Sequence, residues 1–437
     1  MTELSTTLAD PATTKLPRLL AGLEGRRPVS LSEHHERLGH APRLDSAGLL
    51  AEIERSGLRG RGGAGFPVAR KMQTIVAGPT PQAVVANGSE GEPASRKDRL
   101  LMSRAPHLVL DGAVLAANVV GAEEAIVCVK RGAARAVAAL LGAAQERADL
   151  AIDDVGLTVC EVSPQYVAGE ETALVHQLNA GPPKPTFIPR RPFESGVAGR
   201  PTLLQNVETL AHLALIARFG AGWFRELGTD DDPGSILITL SGAVARPGVY
   251  EISAGMRLGR LLEGAGGSTG PLQAMLVGGY AGRWFAAEEA VDLPLGHHAL
   301  ESLGGTLGPG VVTALPRGAC AVGETAAIAR YLARESSGQC GPCVHGLSAI
   351  ADAMSEIACG HAAPGTHEWV TRWCEDVTGR GACHHPDGAA RLVSSCLQLF
   401  AEDIDRHESG RPCIPPPALV DLLPTGADER AAAGNPA

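Results

Sequence analysis

Cys340 and Cys343 have two residues between them in the run Ser337-Gly-Gln-Cys340-Gly-Pro-Cys343, and Cys383 follows later between two stretches of helical periodicity. Thiolates at that spacing on a Gly-Pro turn can grip one iron-sulfur cube from a single loop, and the chemistry of such a site is one-electron transfer. Four ligands are usual, and Ser337 stands where a third local thiol would fit. An alkoxide is a harder and less available ligand than a thiolate, so a cube here is expected to be weakened or altered. His345, His384 and His385 lie beside these cysteines and make a Cys/His zinc site the alternative. Cys320, Cys359, Cys374, Cys396 and Cys413 read as small core fillers.

A second candidate is the glycine-rich run Gly57-Leu-Arg-Gly60-Arg61-Gly62-Gly63-Ala-Gly65-Phe66-Pro67. Gly60, Gly62 and Gly65 satisfy the dinucleotide fingerprint literally, but that fingerprint needs a preceding strand, and here a helix precedes. The whole run is more informative: exposed backbone N–H groups, the charges of Arg59 and Arg61, and Lys71 shortly after suit a phosphate or a flavin. The competing reading is an ordinary mobile loop.

Two acidic loops complete the set. Asn87-Gly-Ser89-Glu90-Gly-Glu92-Pro93 directly follows an apolar strand pattern, at the carboxyl end where α/β sheets place ligands. It reads equally as a polar turn capping the next helix. Tyr166-Val-Ala-Gly169-Glu170-Glu171-Thr172 repeats the arrangement, although paired glutamates in a helix's first turn suit the macrodipole without any further role.

The elements that must position these residues follow from hydropathy patterning. Apolar runs at 83–86, 125–129 and 157–162 read as buried strands, with helical patterns at 46–56, 106–120, 133–148, from near 169 and at 206–218. Strands alternating with helices imply a parallel, doubly covered α/β sheet. Asp230-Asp231-Asp232-Pro233-Gly234 is a turn-rich linker, after which strand, Pro247-Gly248 turn, strand, short helix and strand suggest a small ubiquitin-like α+β module. From about 321 the pattern is helical around the cysteine loop, a small bundle. The expected units are a lead-in at 1–45, partly without regular structure, an α/β domain at 46–232, the α+β module at 233–320, the bundle at 321–407 and a loose tail at 408–437.

Composition narrows the function classes. A chain of 437 residues with net charge -10 and no clustered basic run is not a general nucleic-acid binder. Ten cysteines with one Cys-x2-Cys pair fit a reducing, cytoplasmic setting. No stretch approaches about 20 uninterrupted apolar residues, so direct membrane insertion is not expected.

Five segments, Gly57 to Pro67, Asn87 to Pro93, Tyr166 to Thr172, Pro201 to Thr209 and Ser336 to Cys343, occur in the order found in one family. Over about 46–405 the chain resembles the NADH-binding flavoprotein subunit of respiratory complex I, which also supplies diaphorase subunits of some hydrogenases and formate dehydrogenases. Ser241 to Val244 and Pro247 to Glu251 look like that family's soluble-ligand-binding (SLBB) β-grasp insert. The resemblance implies a Rossmann-like FMN domain, the β-grasp module and a helical bundle holding one [4Fe-4S] cluster. By position, Gly60, Gly62, Gly63, Lys71 and Asn87 would line the flavin, with Arg61, Ser89 and Glu90 in the same loops and Tyr166, Gly169, Glu170 and Asn206 completing the pocket. Glu92 and Glu171 would face the dinucleotide, Phe66 would stack on its adenine, and Cys340, Cys343 and Cys383 would bind the cluster.

The implied activity is transfer of hydride from NADH to FMN, then of single electrons through the cluster to a ferredoxin-like or other iron-sulfur partner, in the cytoplasm or at the inner face of a membrane through partner subunits. The alternatives are a diaphorase with an altered cluster and a non-catalytic assembly or ligand-binding subunit that keeps the fold. The chain departs from the family at Ser337 in place of cysteine, at Ser89 in place of aspartate, and at Thr74 in place of an aromatic, with Phe193 near the position of another. The less aromatic pocket leaves NADH and NADPH both open as the donor.

Overall fold

The computed structural model describes residues 16–413 apart from 24, 26, 43 and 187–190. The expectations for residues 1–15 and for the tail from 414 lie outside the described residues. The remainder of the lead-in is built into the fold: Leu19, Leu20 and Leu23 are buried, and α1 (Leu31–Leu38) starts at a capping box between Ser30 and Glu33.

The α/β domain begins with α2 (Ser46–Ser56), capped by Asp45 and ended by Gly57 in the left-handed conformation. The glycine loop leads into α3 (Val68–Val76), followed by β1 (Gln82–Gly88), α4 (Lys97–Arg104), α5 (Pro106–Val120), β2 (Ala122–Lys130), α6 (Ala134–Asp149), β3 (Gly156–Val162), a tight turn at Tyr166–Gly169, α7 (Glu171–Leu178), β4 (Thr202–Asn206) and α8 (Val207–Phe224). The strands are all parallel in the order β3-β2-β1-β4. Ala83 to Ala86 are fully buried because both faces of β1 are covered: Val84 and Ala86 join the core with α5 and α8, whereas Ala83 and Val85 pack with Leu174 and Val175 of α7. β1 has β2 on one side and β4 on the other, so its carboxyl end is the point where strand order reverses. Asn87 and Asn206 are in register there.

The second unit comprises β5 (Ser235–Gly242), β6 (Gly248–Ser253), α9 (Leu258–Gly264), β7 (Leu272–Val277), β8 (Arg283–Ala286), α10 (Ala287–Ala290), α11 (His297–Ser302) and β9 (Val311–Pro316). Its sheet order is β6-β5-β9-β7-β8, with β5 and β9 parallel and the other neighbours antiparallel. Leu258, Leu261 and Leu262 of α9 bury against Ile236, Ile238 and Tyr250. The bundle contains α12 (Ala321–Arg334), α13 (Leu347–Ala358), α14 (Thr366–Val377), α15 (His385–Leu399) and α16 (Ala401–Glu408). Leu332, Ile350, Met354, Val370, Leu392 and Val393 form its core, and Cys374 and Cys396 are buried there as fillers. Among the described residues no single helix is long and apolar enough to cross a membrane.

The three units are joined by polar contacts as well as by packing. Leu237 N–H donates to Glu208 Oε1 at 2.9 Å, and Arg96 N–H to Thr239 Oγ1 at 3.1 Å, tying the α/β domain to the second sheet. Trp284 Nε1 donates to Thr325 Oγ1 at 3.0 Å, and its N–H to Ser395 Oγ at 3.1 Å, tying that sheet to the bundle.

Candidate cofactor site and cysteine loop

A cavity of about 310 Å³ opens at the carboxyl end of β1. That volume lies within the range of small-molecule sites, roughly 300–1,000 Å³. The predicted residues Arg61, Gly62, Asn87, Ser89, Glu90, Glu92, Tyr166, Gly169, Glu170 and Asn206 all line it, and so does Cys383. The glycine loop, both acidic loops and one predicted cluster ligand therefore share one space.

The backbone permits this only with small residues at the points of closest approach. A Cβ at Gly91 would overlap the Tyr166 carbonyl, and one at Gly169 would overlap the Ser89 hydroxyl. Asn87 fixes the two acidic loops together: its Nδ2 donates to Gly169 O at 2.9 Å, and its Oδ1 accepts from Ser89 Oγ at 2.7 Å. Asn206 caps α8 by accepting from Glu208 N–H at 2.9 Å, while its Nδ2 donates to Asp98 Oδ2 at 2.7 Å.

The side chains at the cavity divide into those occupied by the protein and those less so. Glu90 accepts from Ser95 Oγ, Asp98 N–H and Arg99 Nε, so its carboxylate holds the start of α4. Glu170 is the N-cap of α7, accepting from Thr172 N–H at 2.9 Å and Ala173 N–H at 3.0 Å, which is the helix-end role expected of the glutamate pair. Glu92 is buried; its carboxylate accepts from Tyr280 N–H at 3.0 Å, Ala94 N–H at 3.3 Å and the Tyr166 hydroxyl at 3.5 Å. Burial pushes the Glu92 carboxyl up to about 7 despite these donors.

The glycine loop is packed rather than loose. Gly63 and Gly65 have φ of 120° and 60°, and a Cβ on Gly65 would strike the His297 ring. The loop's arginines are turned differently from the phosphate-facing arrangement their charge suggested. Arg59 Nε donates to Asp231 O at 3.2 Å, and Arg61 donates from its guanidinium to Pro233 O at 3.1 Å. Arg61 is buried and its Nε has no hydrogen-bond partner among the described residues. Lys71 reaches across from α3 to Glu171 at 2.8 Å, and Phe66 is half exposed with the Arg70 guanidinium 5.9 Å from its ring centre. Gly60 is bonded to the Phe66 carbonyl at 2.9 Å. Gly60, Gly63, Phe66, Lys71 and Glu171 are thus beside the cavity and do not line it. Thr74 is exposed, and Phe193 packs on the α/β core.

Hydropathy patterning missed Lys97, Asp98 and Glu208. Lys97 is only 2% exposed and bonds Asp98 Oδ1 and Glu208 Oε2, each at 2.8 Å. Burial works against the ammonium, but the two carboxylates hold it above its ordinary value, so it stays charged beside the cavity that Lys97 and Asp98 both line. For Lys97 and Asp98 the available signal was the unbroken charged run Arg96-Lys97-Asp98-Arg99, with two residues between it and the first acidic loop.

In the cysteine loop, Cys340 and Cys343 interact directly, and the Cys383 thiol acts on both electrostatically. Burial opposes ionisation of Cys340, but the Ala382 and Cys343 N–H groups and the Cys343 thiol bring it below its ordinary value. Ser337 is buried at the start of the loop. Cys340, Cys343 and Cys383 are not drawn within 4.8 Å of one another as a single-ion site would be, and the neighbouring histidines are turned elsewhere, which disfavours the zinc alternative: His384 is exposed and pairs with Asp387, His385 Nε2 donates to Leu332 O at 2.7 Å, and His345 is exposed. Not all the spare cysteines are core fillers. Cys359 is exposed, and Cys320 and Cys413 converge with His407 elsewhere in the bundle.

This combination of a parallel-sheet cofactor cavity, a β-grasp module and a thiol-bearing bundle defines a flavin and iron-sulfur class of electron-transfer protein. Residues 53–215 match the Nuo51 FMN-binding domain, 237–279 the SLBB domain and 317–407 the NADH-ubiquinone oxidoreductase-F iron-sulfur binding region. The chain is 31% identical to the NADH-quinone oxidoreductase F subunit of Streptomyces coelicolor, covering 88% of each protein, and 30% identical to that of Mycobacterium bovis, covering 97% of this chain and 100% of that protein. A crystal structure of NAD+-reducing [NiFe]-hydrogenase in the air-oxidized state superposes with a TM-score of 0.81 at 31% identity, covering 97% of this chain and 72% of the hydrogenase chain. The chain belongs to the family of NADH-quinone oxidoreductase F subunits, which are oxidoreductases.

Proposed function

We propose that this chain oxidises NADH at FMN held in the β1 cavity and passes electrons singly through an iron-sulfur centre on Cys340, Cys343 and Cys383 to an iron-sulfur or ferredoxin-like partner subunit. The observation that carries this reading is the shared cavity, where Cys383 faces the same space as Gly62, Asn87, Glu92 and Asn206. Bound flavin supplies the conversion between a two-electron hydride donor and a one-electron acceptor. Gly62, with Asn87, Tyr166, Gly169 and Asn206, would hold it inside the cavity, with Gly60 and Gly63 shaping the loop beside it, and the orphaned Arg61 Nε leaves one donor for it. Ser89 and Glu90 shape the loop beside it through their bonds to Asn87 and to the start of α4. Phe66, Lys71 and Glu171, next to the cavity and partly exposed, would receive the dinucleotide, with Glu92 deeper inside. No protein acid or base is required for the hydride step, so the residues act by positioning the reactants and excluding water.

Ser337 favours a second reading, in which the hydride half is intact and the cluster is a three-thiolate or altered form. Anaerobic absorption and EPR spectra before and after NADH separate the two, together with iron and sulfide analysis. The first reading expects bleaching of the flavin band, a reduced-cluster signal and about four irons per chain. Bleaching with substoichiometric iron supports the second. Protein that remains colourless after FMN addition overturns both and leaves an assembly or ligand-binding role. The same titration run with NADPH decides the donor.

A further inference from the structure

Cys320, His407 and Cys413 bring three metal-binding atoms within 4.8 Å of one another, apart from the cysteine loop. Cys320 Sγ lies 3.5 Å and Cys413 Sγ 3.2 Å from His407 Nε2. A tetrahedral zinc ion, with bonds of about 2.3 Å to sulfur and about 2.0–2.1 Å to nitrogen, separates those atom types by about 3.5 Å. We propose that these three residues form a Cys2His zinc site that ties the start of α12 to the end of α16.

The surroundings orient each ligand for that role. His407 Nδ1 faces Ile357 O at 3.2 Å and Ala358 O at 3.1 Å. Carbonyls only accept, so Nδ1 carries the proton and the lone pair is on Nε2, the nitrogen that lies within 3.5 Å of both sulfurs. A metal-binding histidine is typically held by such a bond from its other nitrogen. Without a metal the lone pair accepts from Cys413 N–H at 3.1 Å, and that bond would be exchanged for the ion. Each sulfur already accepts a hydrogen bond: Cys320 is the N-cap of α12 and accepts from Gly323 N–H at 3.3 Å, and Arg406 donates to Cys413 Sγ at 2.8 Å. A disulfide would use neither the histidine nor its fixed tautomer. An iron-sulfur cube spreads its thiolates over separate irons, whereas these three atoms lie within 4.8 Å of one another, close enough to share one ion. The fourth tetrahedral position is left for water.

The inference is independent of the flavin reading and is tested on the full chain. Protein prepared under reducing conditions and given zinc chloride is expected to retain about one zinc per chain after dialysis, with a zinc-edge X-ray absorption fit of two sulfurs and one nitrogen. Cys413→Ala, a half-buried position, and His407→Ala are expected to lower retained zinc by roughly tenfold, whereas Cys340→Ala leaves it in place. The proposal is overturned by zinc retained in Cys413→Ala, by a fit with sulfur ligands alone, by wild-type protein that retains no zinc, or by a Cys320–Cys413 disulfide in the anaerobic protein.

Discussion

The two walls of the β1 cavity are built on opposite principles. On the α/β side, Lys97, Asp98, Glu208, Asn206, Asn87 and Glu90 bond one another and the helix starts around them. That wall holds its shape through contacts internal to the protein. On the bundle side Cys383 lines the cavity, and burial pushes the nearby Cys343 thiol up to about 12, so it is a neutral group whose proton the proposed iron would replace. On the proposed function, the donor half is preorganised by the polypeptide, whereas the electron exit would be completed by its metal. On the same proposal, Ser337 would weaken the wall that depends most on a complete ligand set.

The sharpest test of that contrast removes a thiol. Cys340→Ala is expected to reduce protein-bound iron by roughly tenfold or more while bound FMN stays within about twofold, measured by iron and flavin analysis of one preparation. Parallel loss of FMN would mean that the walls are not independent. Next in size is Lys97→Met, which strands two buried carboxylates and is expected to cost about 3–5 kcal/mol of unfolding free energy in urea, together with FMN retention. An effect as small as that of a surface substitution would break the claim that this wall is held by buried charge.

Glu92 lies between the walls and supplies a pH signature. Its carboxyl titrates near 7 when folded and near the ordinary 4.5 when unfolded, so between these values the folded state holds a proton that the unfolded state has released. Stability contributed by Glu92 is thus greatest at low pH, falls as pH rises from about 4.5 to about 7, and is flat above, a span on the order of 3 kcal/mol. Unfolding midpoints at pH 5 and pH 8 for wild type and Glu92→Gln are expected to show that slope removed in the variant. The smallest effect belongs outside both walls: Lys71→Ala breaks a partly exposed pair with Glu171 and is expected to change stability by no more than about 1 kcal/mol, with any larger change appearing in the KM for NADH.

Much of this architecture was legible along the chain. The strands at β1, β2 and β3 and the helices α2, α5 and α6 follow apolar patterns of their own period, and the loops after β1 and β3 carry their motifs in contiguous residues. β4 was hidden because Thr202–Asn206 is short and polar at its end, and β8 and β9 because the second sheet is assembled from distant segments. The same distinction applies to ligands. Cys340 and Cys343 announce themselves by spacing, whereas Cys320, His407 and Cys413 meet only because α12 and α16 bring together residues far apart in sequence. Lys97 escaped because a charged run reads as solvated surface, and only the fold reveals carboxylates on both sides of it.

The bond from Tyr280 N–H to Glu92 has a meaning for how such proteins diversify. Tyr280 belongs to the β-grasp unit and Glu92 to the acidic loop of the α/β domain, while Arg391 of the bundle donates to the neighbouring Ala281 carbonyl at 2.8 Å. A segment inserted between two others in the chain is thereby a keystone in space, touching the donor side with one residue and the exit side with the next. Exchange of this module between relatives is expected to succeed only when the acidic loop and α15 travel with it, so recombination here follows the contacts of the cavity and not the boundaries of the sequence.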